Sequence, residues 1–436
     1  EPGSYEAKDY SLPSLPGVQV VRAPMLLMNP LDWYRLGKHR FHHTVRRREA
    51  PNDEADAAAG TLQHASSLHV PGPARRFLRK HLVPILGMPD EYWPWYFPAL
   101  RAARRILHRE RIDAVVSTGP PWTSHLVGRR LYKEFRIPWL ADFRDMWTLD
   151  DWRFEYPEWR NHFDRRWEKD CVRCATRIIC TTRASRDLMA QAYPAFAEKI
   201  SVLTNGFDGL ALETSSQPSG VSRPVRDAGE IQDRKNPGPE SLDPNASSRP
   251  ILLLHLGRLY IGRRIDTFCQ AVQKVIQAQN LAAGQLKVLF LGASDPEFFA
   301  QANQVAPELI RDKVIEFAER IPWQEALRQM TKADLLVIIQ GKHRLAIPAK
   351  LYEYFQTGKP IFAVVAPGAL SEMLAELGAG VSADPGDADA IASAIWTALH
   401  LPPRTAEHQD RITRQFNYRN LAQTFAGWIA EAAGHS

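Results

Sequence analysis

The chain has 436 residues, 44% of them hydrophobic and 24% charged. This composition excludes wholesale disorder and a disulfide-stapled miniprotein, and the length allows two or three domains. The net charge is +6 but uneven: residues 22–111 hold 16 Lys/Arg against 8 Asp/Glu, a local +8 that accounts for the whole excess.

No uninterrupted apolar run reaches the roughly 18 residues that a spanning helix needs. Cys171, Cys174, Cys180 and Cys269, few for this length, read as thiols in a reduced compartment. Glu1-Pro2-Gly3-Ser4 does not resemble a natural start or a signal peptide, so the chain reads as a fragment.

In chain order, the first half alternates strand-like and helical patterns. Strands are predicted at Val18–Ala23, Ala114–Thr118, Pro138–Phe143, Arg177–Thr181 and Ile200–Leu203. Helices are predicted at Pro98–His108, Ser124–Glu134, Asn161–Cys174 and Ser185–Ala192. Polar Glu49–Gly72 reads as a surface insertion. No glycine-rich first strand-to-helix turn is seen, and this half is expected to lack its opening strand–helix unit. Residues 209–250 contain Pro, Ser and Gly clusters and no aromatic residue, the composition of an interdomain linker. The sequon Asn245-Ala246-Ser247 within it reads as chance.

Strands are then predicted at Ile251–Gly257, Leu286–Gly292, Val314–Phe317, Leu335–Gln340, Pro360–Ala366 and Gly380–Ala383, with helices such as Asp266–Gln279 and Gln324–Thr331 between them. Continuously apolar runs are expected of parallel strands covered on both faces, which makes this half doubly wound α/β. A last helix, Arg419–Ala433, carries Leu421, Phe425, Trp428 and Ile429 on one face, so it packs on something.

Four clusters sit at strand ends, where open α/β sheets place ligands. In His255-Leu256-Gly257-Arg258-Leu259-Tyr260-Ile261-Gly262-Arg263-Arg264, a glycine turn after a buried strand is followed by three arginines, whose guanidinium forks suit phosphate. In the segment from Ile347 to Pro360, Pro348 suits a first helical position and Gly358 a helix stop, so a helix N-terminus with Lys350 is expected to face an anion. Lys350 and Glu353 share a helix face: either a surface ion pair, or a carboxylate accepting from sugar hydroxyls. In Asp142-Phe143-Arg144-Asp145, charges follow a buried strand directly, as a structural Arg–Asp pair or as functional groups. In Ser117-Thr118-Gly119-Pro120-Pro121-Trp122-Thr123-Ser124-His125, Ser124 is the expected N-cap and His125 a packed or capping histidine in preference to a base.

Other chemistries weaken. Cys171-x-x-Cys174 with Cys180 has no second ligand pair, against a zinc site. Asp387 and Asp389 open a helix, and capping explains them. No Walker A sequence, no G-x-S-x-G elbow and no G-x-G-x-x-G after a strand is present, which argues against a dinucleotide dehydrogenase.

The pieces Thr118-Gly119-Pro120-Pro121, Ala141-Asp142-Phe143-Arg144-Asp145-Met146-Trp147, Thr204-Asn205-Gly206-Phe207-Asp208, Leu256-Gly257-Arg258-Leu259-Tyr260 and Pro348-Ala349-Lys350-Leu351-Tyr352-Glu353-Tyr354 resemble, in this order, GT-B glycosyltransferases of the GT4-like group. The resemblance spans roughly 113–384. It implies retaining enzymes of cell-surface polysaccharide and glycoconjugate synthesis. The implied fold is α/β, two Rossmann-like domains facing across a cleft, with the final helix crossing back to the N-terminal domain. The expected division is 1–208 acceptor domain, 209–250 linker, 251–404 nucleotide-sugar domain and 405–436 crossover helix.

By the same resemblance, Gly257, Arg258, Arg263 and Lys350 hold the donor diphosphate. Glu353 holds the ribose, and Arg320 and Ile321 border the base. Asp142, Arg144 and Asp145 are the candidate catalytic residues, with no proton carrier assigned, and Thr118, Gly119, Ser124 and His125 line the acceptor side. The family's first Glu of E-x7-E is Leu345 here.

The expected function is metal-independent sugar transfer, with retention, to a polysaccharide, glycolipid or lipid-linked acceptor. The alternatives are a non-catalytic GT-B-like subunit or a nucleotide-sugar 2-epimerase. No cofactor beyond the nucleotide-sugar co-substrate and no nucleic-acid partner are expected. Arg75, Arg76, Arg79 and Lys80 with Phe77, Leu78 and Leu82, then Arg101, Arg104, Arg105 and Arg109, suit peripheral contact with the anionic inner face of the cytoplasmic membrane or, equally, a solvated basic face.

Overall fold

The computed structural model describes residues 17–24, 85, 87–149, 156–208, 249–259, 263–282, 284–292 and 295–434. The polar insertion, the basic residues at 75–80, residues 209–248 of the linker and Tyr260–Gly262 lie outside them.

The first sheet contains β1 (Val115–Gly119), β2 (Trp139–Phe143), β3 (Arg177–Cys180) and β4 (Ile200–Val202), all parallel and in that order. Its helices are α1 (Tyr96–Leu107), α2 (Thr123–Phe135), α3 (Glu158–Cys174) and α4 (Arg183–Ala192). Trp139, Phe143, Trp147, Cys171 and Ile178 form its core. Buried Glu168 of α3 ties down two loops. It accepts from the Thr148 amide at 2.6 Å and hydroxyl at 2.9 Å, and from Tyr193 Oη at 2.7 Å.

The predicted strand Val18–Ala23 does not form. Val18, Val20 and Val21 are exposed on irregular backbone, held near α1 by Trp95 Nε1 donating to the Ala23 carbonyl at 3.2 Å. An apolar run becomes a strand only where a neighbouring strand takes its amides, and this one has no ladder partner among the described residues.

The second sheet has β5 (Ile251–Leu256), β6 (Leu286–Leu291), β7 (Ile315–Ala318), β8 (Leu335–Gly341), β9 (Ile361–Val365) and β10 (Gly380–Ala383). Their order is β7-β6-β5-β8-β9-β10, all parallel. The order reverses between β5 and β8, and such a switch point opens a crevice at the strands' carboxyl ends. Two apolar cores cover this sheet's faces. One is built on Phe268, Val288, Phe290 and Ile391, the other on Leu254, Tyr352, Tyr354, Phe355 and Phe416.

The helices are α5 (Asp266–Ala278), α6 (Pro296–Val305), α7 (Pro307–Arg311), α8 (Trp323–Lys332), α9 (Lys350–Phe355), α10 (Ala369–Glu376), α11 (Ala388–Leu399), α12 (Ala406–Phe416) and α13 (Tyr418–Ala433). Asp387 caps α11 as predicted, accepting from the amides of Asp389 and Ala390.

The last helix crosses back to the first domain. Phe207 bridges to Asn417, Arg177 of β3 pairs with Glu431 at 2.7 Å, and the same guanidinium lies over Trp428. Leu421, Phe425, Trp428 and Ile429 are all half-buried on α13, as their spacing predicts, together with Ala430, Ala432 and Ala433 near its end. No helix among the described residues is long and apolar enough to cross a membrane.

Candidate active site

The β5–β8 crevice is built from the sequence at its switch point. The two strands pair only at Leu253–Leu335 and Leu254–Leu336, then part. Beyond that point two side chains fill the gap. Tyr354 Oη accepts from the Leu256 amide at 2.9 Å and donates to the Val337 carbonyl at 3.3 Å. The fully buried His255 ring places Nδ1 3.1 Å from the same carbonyl. Lys350 Nζ stands 3.1 Å from His255 Nε2. Burial, reinforced by the Arg263 charge, brings the Lys350 pKa down to about 7, with Glu353 opposing.

Next to this lysine the chain turns at Gly257, whose φ is +89°; a Cβ there would stand 3.4 Å from Lys350 Nζ. Gly292 closes the end of β6. Its φ is +144°, and a Cβ would come within 2.8 Å of the Gly257 backbone. Two glycines therefore let the ends of β5 and β6 touch beside a basic crevice.

The predicted donor-site residues gather unevenly. Gly257, Arg263 and Lys350 converge, Arg263 being close enough to act on both His255 and Lys350. Arg258 instead turns to Asp295, the residue before α6, at 3.0 Å. Glu353 lies on α9, where burial raises its pKa and Lys350 opposes. It makes no ion-pair contact with Lys350 among the described residues, and acts on that lysine only through its charge. Arg320 is exposed and Ile321 half-buried in the loop after β7.

Pro348 is not the first helical residue: α9 begins at Lys350, with Ala349 as its N-cap. At six residues this helix has few aligned peptides, so side-chain cations and not a helix dipole supply the positive charge. Gly358, at φ +67°, ends the turn as expected.

At the carboxyl ends of β1 and β2, Thr118 Oγ1 donates to Asp142 Oδ2 at 2.5 Å. Arg144 reaches the same carboxylate oxygen at 3.8 Å and donates to Asn205 Oδ1. Burial raises the Asp142 pKa, while the Thr118 bond and Arg144 oppose. Asp145 is exposed.

Ser124 is not the N-cap of α2. Its hydroxyl donates to the carbonyls of Thr118 and Pro121, and Asp90, from a preceding loop, accepts from the Thr123 amide at 2.8 Å and hydroxyl at 2.7 Å. The helix starts at Thr123, so Ser124 lies inside its first turn and the carboxyl of Asp90 satisfies the orphan amide of Thr123 instead. Asp90 carries no local sequence signal for this, being 33 residues from its partner.

His125 is a packed histidine. It is fully buried, stacked on Phe143 and hydrogen-bonded to Ser117 Oγ at 2.8 Å, and burial drives its pKa to about 3. Gly119 faces it: a Cβ there would lie 2.6 Å from His125 Nε2. The cysteines are buried free thiols, with Cys180 and Cys269 pushed up to about 12 by burial.

The two domains meet at these strand ends. Thr182 Oγ1 donates to the Leu345 carbonyl at 2.7 Å, and the Leu345 side chain packs on the first domain's core. The Arg144 charge acts on buried Tyr352 of α9. Sequence reasoning assigned no role to His255, Gly292, Asp295 or Thr182. The histidine at a strand end beside a glycine was the available signal.

Comparisons with known proteins agree with this architecture. The family model Glycosyltransferase Family 4 matches residues 36–208, and Glycosyl transferases group 1 matches 250–400. No curated protein matches the chain at the sequence level. Among solved structures, HepE from Anabaena in complex with UDP is similar at 16% identity and TM-score 0.57, over 83% of this chain and 90% of its own. Sucrose-phosphate synthase from Thermosynechococcus elongatus is similar at 17% and 0.55, over 79% of each. A UDP-forming trehalose-phosphate synthase from Burkholderia xenovorans is similar at 14% and 0.52, over 82% and 85%. With both family models in register on two parallel-sheet domains, the chain belongs to the GT4-like glycosyltransferases of GT-B fold.

Proposed function

We propose that this glycosyltransferase moves a sugar, with retention and without a metal, from a nucleotide-sugar to a polysaccharide, glycolipid or lipid-linked acceptor. The observation that carries the donor half is the convergence of Lys350, Arg263 and the Gly257 turn at the switch point. Cleaving a sugar–diphosphate bond leaves negative charge on the departing oxygens. Cations already oriented at that place stabilise it as it develops. Arg258, held by Asp295, stands at the same turn. HepE, whose structures carry UDP and UDP-glucose, supports a UDP-sugar as the first donor to try.

The acceptor is placed on the other domain, at Thr118, Asp142, Arg144 and Asn205. We put peripheral membrane contact on α1 and the turn after it, where Arg101 and Arg105 of the helix and Arg109 just past its end are exposed together with Phe97.

The test is a panel of UDP-, GDP- and ADP-sugars with lipid-linked and glycan acceptors, with the product anomer read by NMR, in the presence and absence of EDTA. Transfer that conserves the donor's anomeric configuration and survives EDTA is expected. Inversion would overturn the stereochemistry. Binding without turnover would favour a non-catalytic subunit, and an altered nucleotide-sugar would favour an epimerase.

A further inference from the structure

We propose that His255 is a positioning residue, a neutral acceptor that aims the Lys350 ammonium at the turn after β5. The inference rests on the reading of that turn as the donor-diphosphate site. Its geometry determines the tautomer. A carbonyl only accepts, so the 3.1 Å contact with the Val337 carbonyl requires a proton on His255 Nδ1. Burial and the charges of Lys350 and Arg263 hold the ring's pKa well below the usual histidine value, so the ring is neutral. Nε2 then carries a bare lone pair, and the group 3.1 Å from it is the Lys350 ammonium, a donor only. The chain of contacts runs from the β8 backbone through the imidazole to Lys350. The ammonium is left over the Gly257 backbone, where a Cβ would come within 3.4 Å.

A histidine suits this place for an electrostatic reason. A carboxylate at position 255 would hold the lysine equally well but would cancel its charge. A neutral ring orients the cation and leaves the crevice positive for an anion. The charged groups acting on Lys350 are Arg263, which lowers its pKa, and Glu353 on its own helix, which raises it.

The test substitutes His255 by Leu and by Phe, which lack an acceptor, and by Gln, which restores one. The Val337 carbonyl keeps Tyr354 Oη as a donor in all three. Competitive acylation read by mass spectrometry gives the titration midpoint of Lys350 in the unliganded full chain. Wild type is expected at about 7. Without the acceptor the ammonium loses a charge-assisted bond, and the midpoint falls by about one pH unit in His255→Leu and His255→Phe, with recovery in His255→Gln. UDP affinity, measured by calorimetry, follows with a loss of about tenfold and the same recovery. A Lys350 midpoint that stays at the wild-type value in whichever apolar variant folds would overturn the inference. So would a Gln variant that behaves like the Leu variant. Failure of UDP, GDP and ADP to bind the wild type would instead remove the donor-site reading, while the shift in midpoint still decides the role of His255.

Discussion

Thr182 Oγ1, at the start of α4, donates to the carbonyl of Leu345 across the domain boundary, 163 residues away, at 2.7 Å. The same threonine caps α4 by accepting from the Ser185 amide. Leu345 stands where the family's pattern has a glutamate, and here its side chain is spent on the first domain's core. Leu345→Glu is therefore expected to push a carboxylate against apolar surface. It should lower stability by about 1–3 kcal/mol, seen as a shifted denaturation midpoint, without raising transfer. A gain in transfer would show that this position faces the donor sugar.

Arg258 is already oriented by Asp295 at 3.0 Å. If that preorganisation serves the departing diphosphate, Arg258→Ala lowers kcat by a factor on the order of 10². Steady-state kinetics with the donor identified by the panel checks this, and turnover near that of the wild type would remove Arg258 from the site.

Lys350 gives binding a pH dependence of defined sign. In the free protein its pKa is about 7, and a bound diphosphate raises it. Binding therefore takes up a proton above about pH 7, and affinity falls as pH rises, by at most tenfold per unit. UDP-glucose is the suitable probe, since its diphosphate has no group titrating near neutrality. Calorimetry at pH 8 in buffers of different ionisation enthalpy should report uptake approaching one proton, and Lys350→Met should abolish it.

Gly128 on α2 packs against the indole of buried Trp139, with a Cβ there 2.3 Å from Nε1. Helix propensity alone would make Gly128→Ala stabilising by about 1 kcal/mol. Trp139 cannot withdraw, because its Nε1 donates to Ser117 Oγ at 2.8 Å within a buried network that includes His125. The clash outweighs the propensity, and a net loss of about 1–2 kcal/mol is expected in chemical denaturation.

Arg101 and Arg105 on α1 and Arg109 just after it are exposed, while Arg104 on α1 is paired with Glu134. Reversing the three exposed charges to Glu should weaken binding to phosphatidylserine vesicles, each Arg contributing about 1 kcal/mol at low salt. Vesicle co-sedimentation that is equal for variant and wild type would place membrane contact elsewhere.

The second sheet was legible in the sequence because strands buried on two faces are written as unbroken apolar runs, such as residues 335–339 and Ile361–Val365. The large apolar residues on the half-buried face of α13 were legible for a similar reason, since Leu421, Phe425, Trp428 and Ile429 recur at helical spacing. The reading failed at Val18–Ala23, where residue type favours a strand and no ladder partner is present among the described residues.

What the sequence by itself determined is therefore periodic: which segments are strands or helices, and which glycines, arginines and lysine stand at strand ends. The tertiary structure alone decided which of these meet. It set His255 against Lys350, Asp90 on the start of α2, Arg258 on Asp295, and Leu345 on the other domain. Each is a single contact between residues far apart in the chain, and such a contact leaves no repeat in the sequence. It arises only when the order of strands brings two loop ends to the same place.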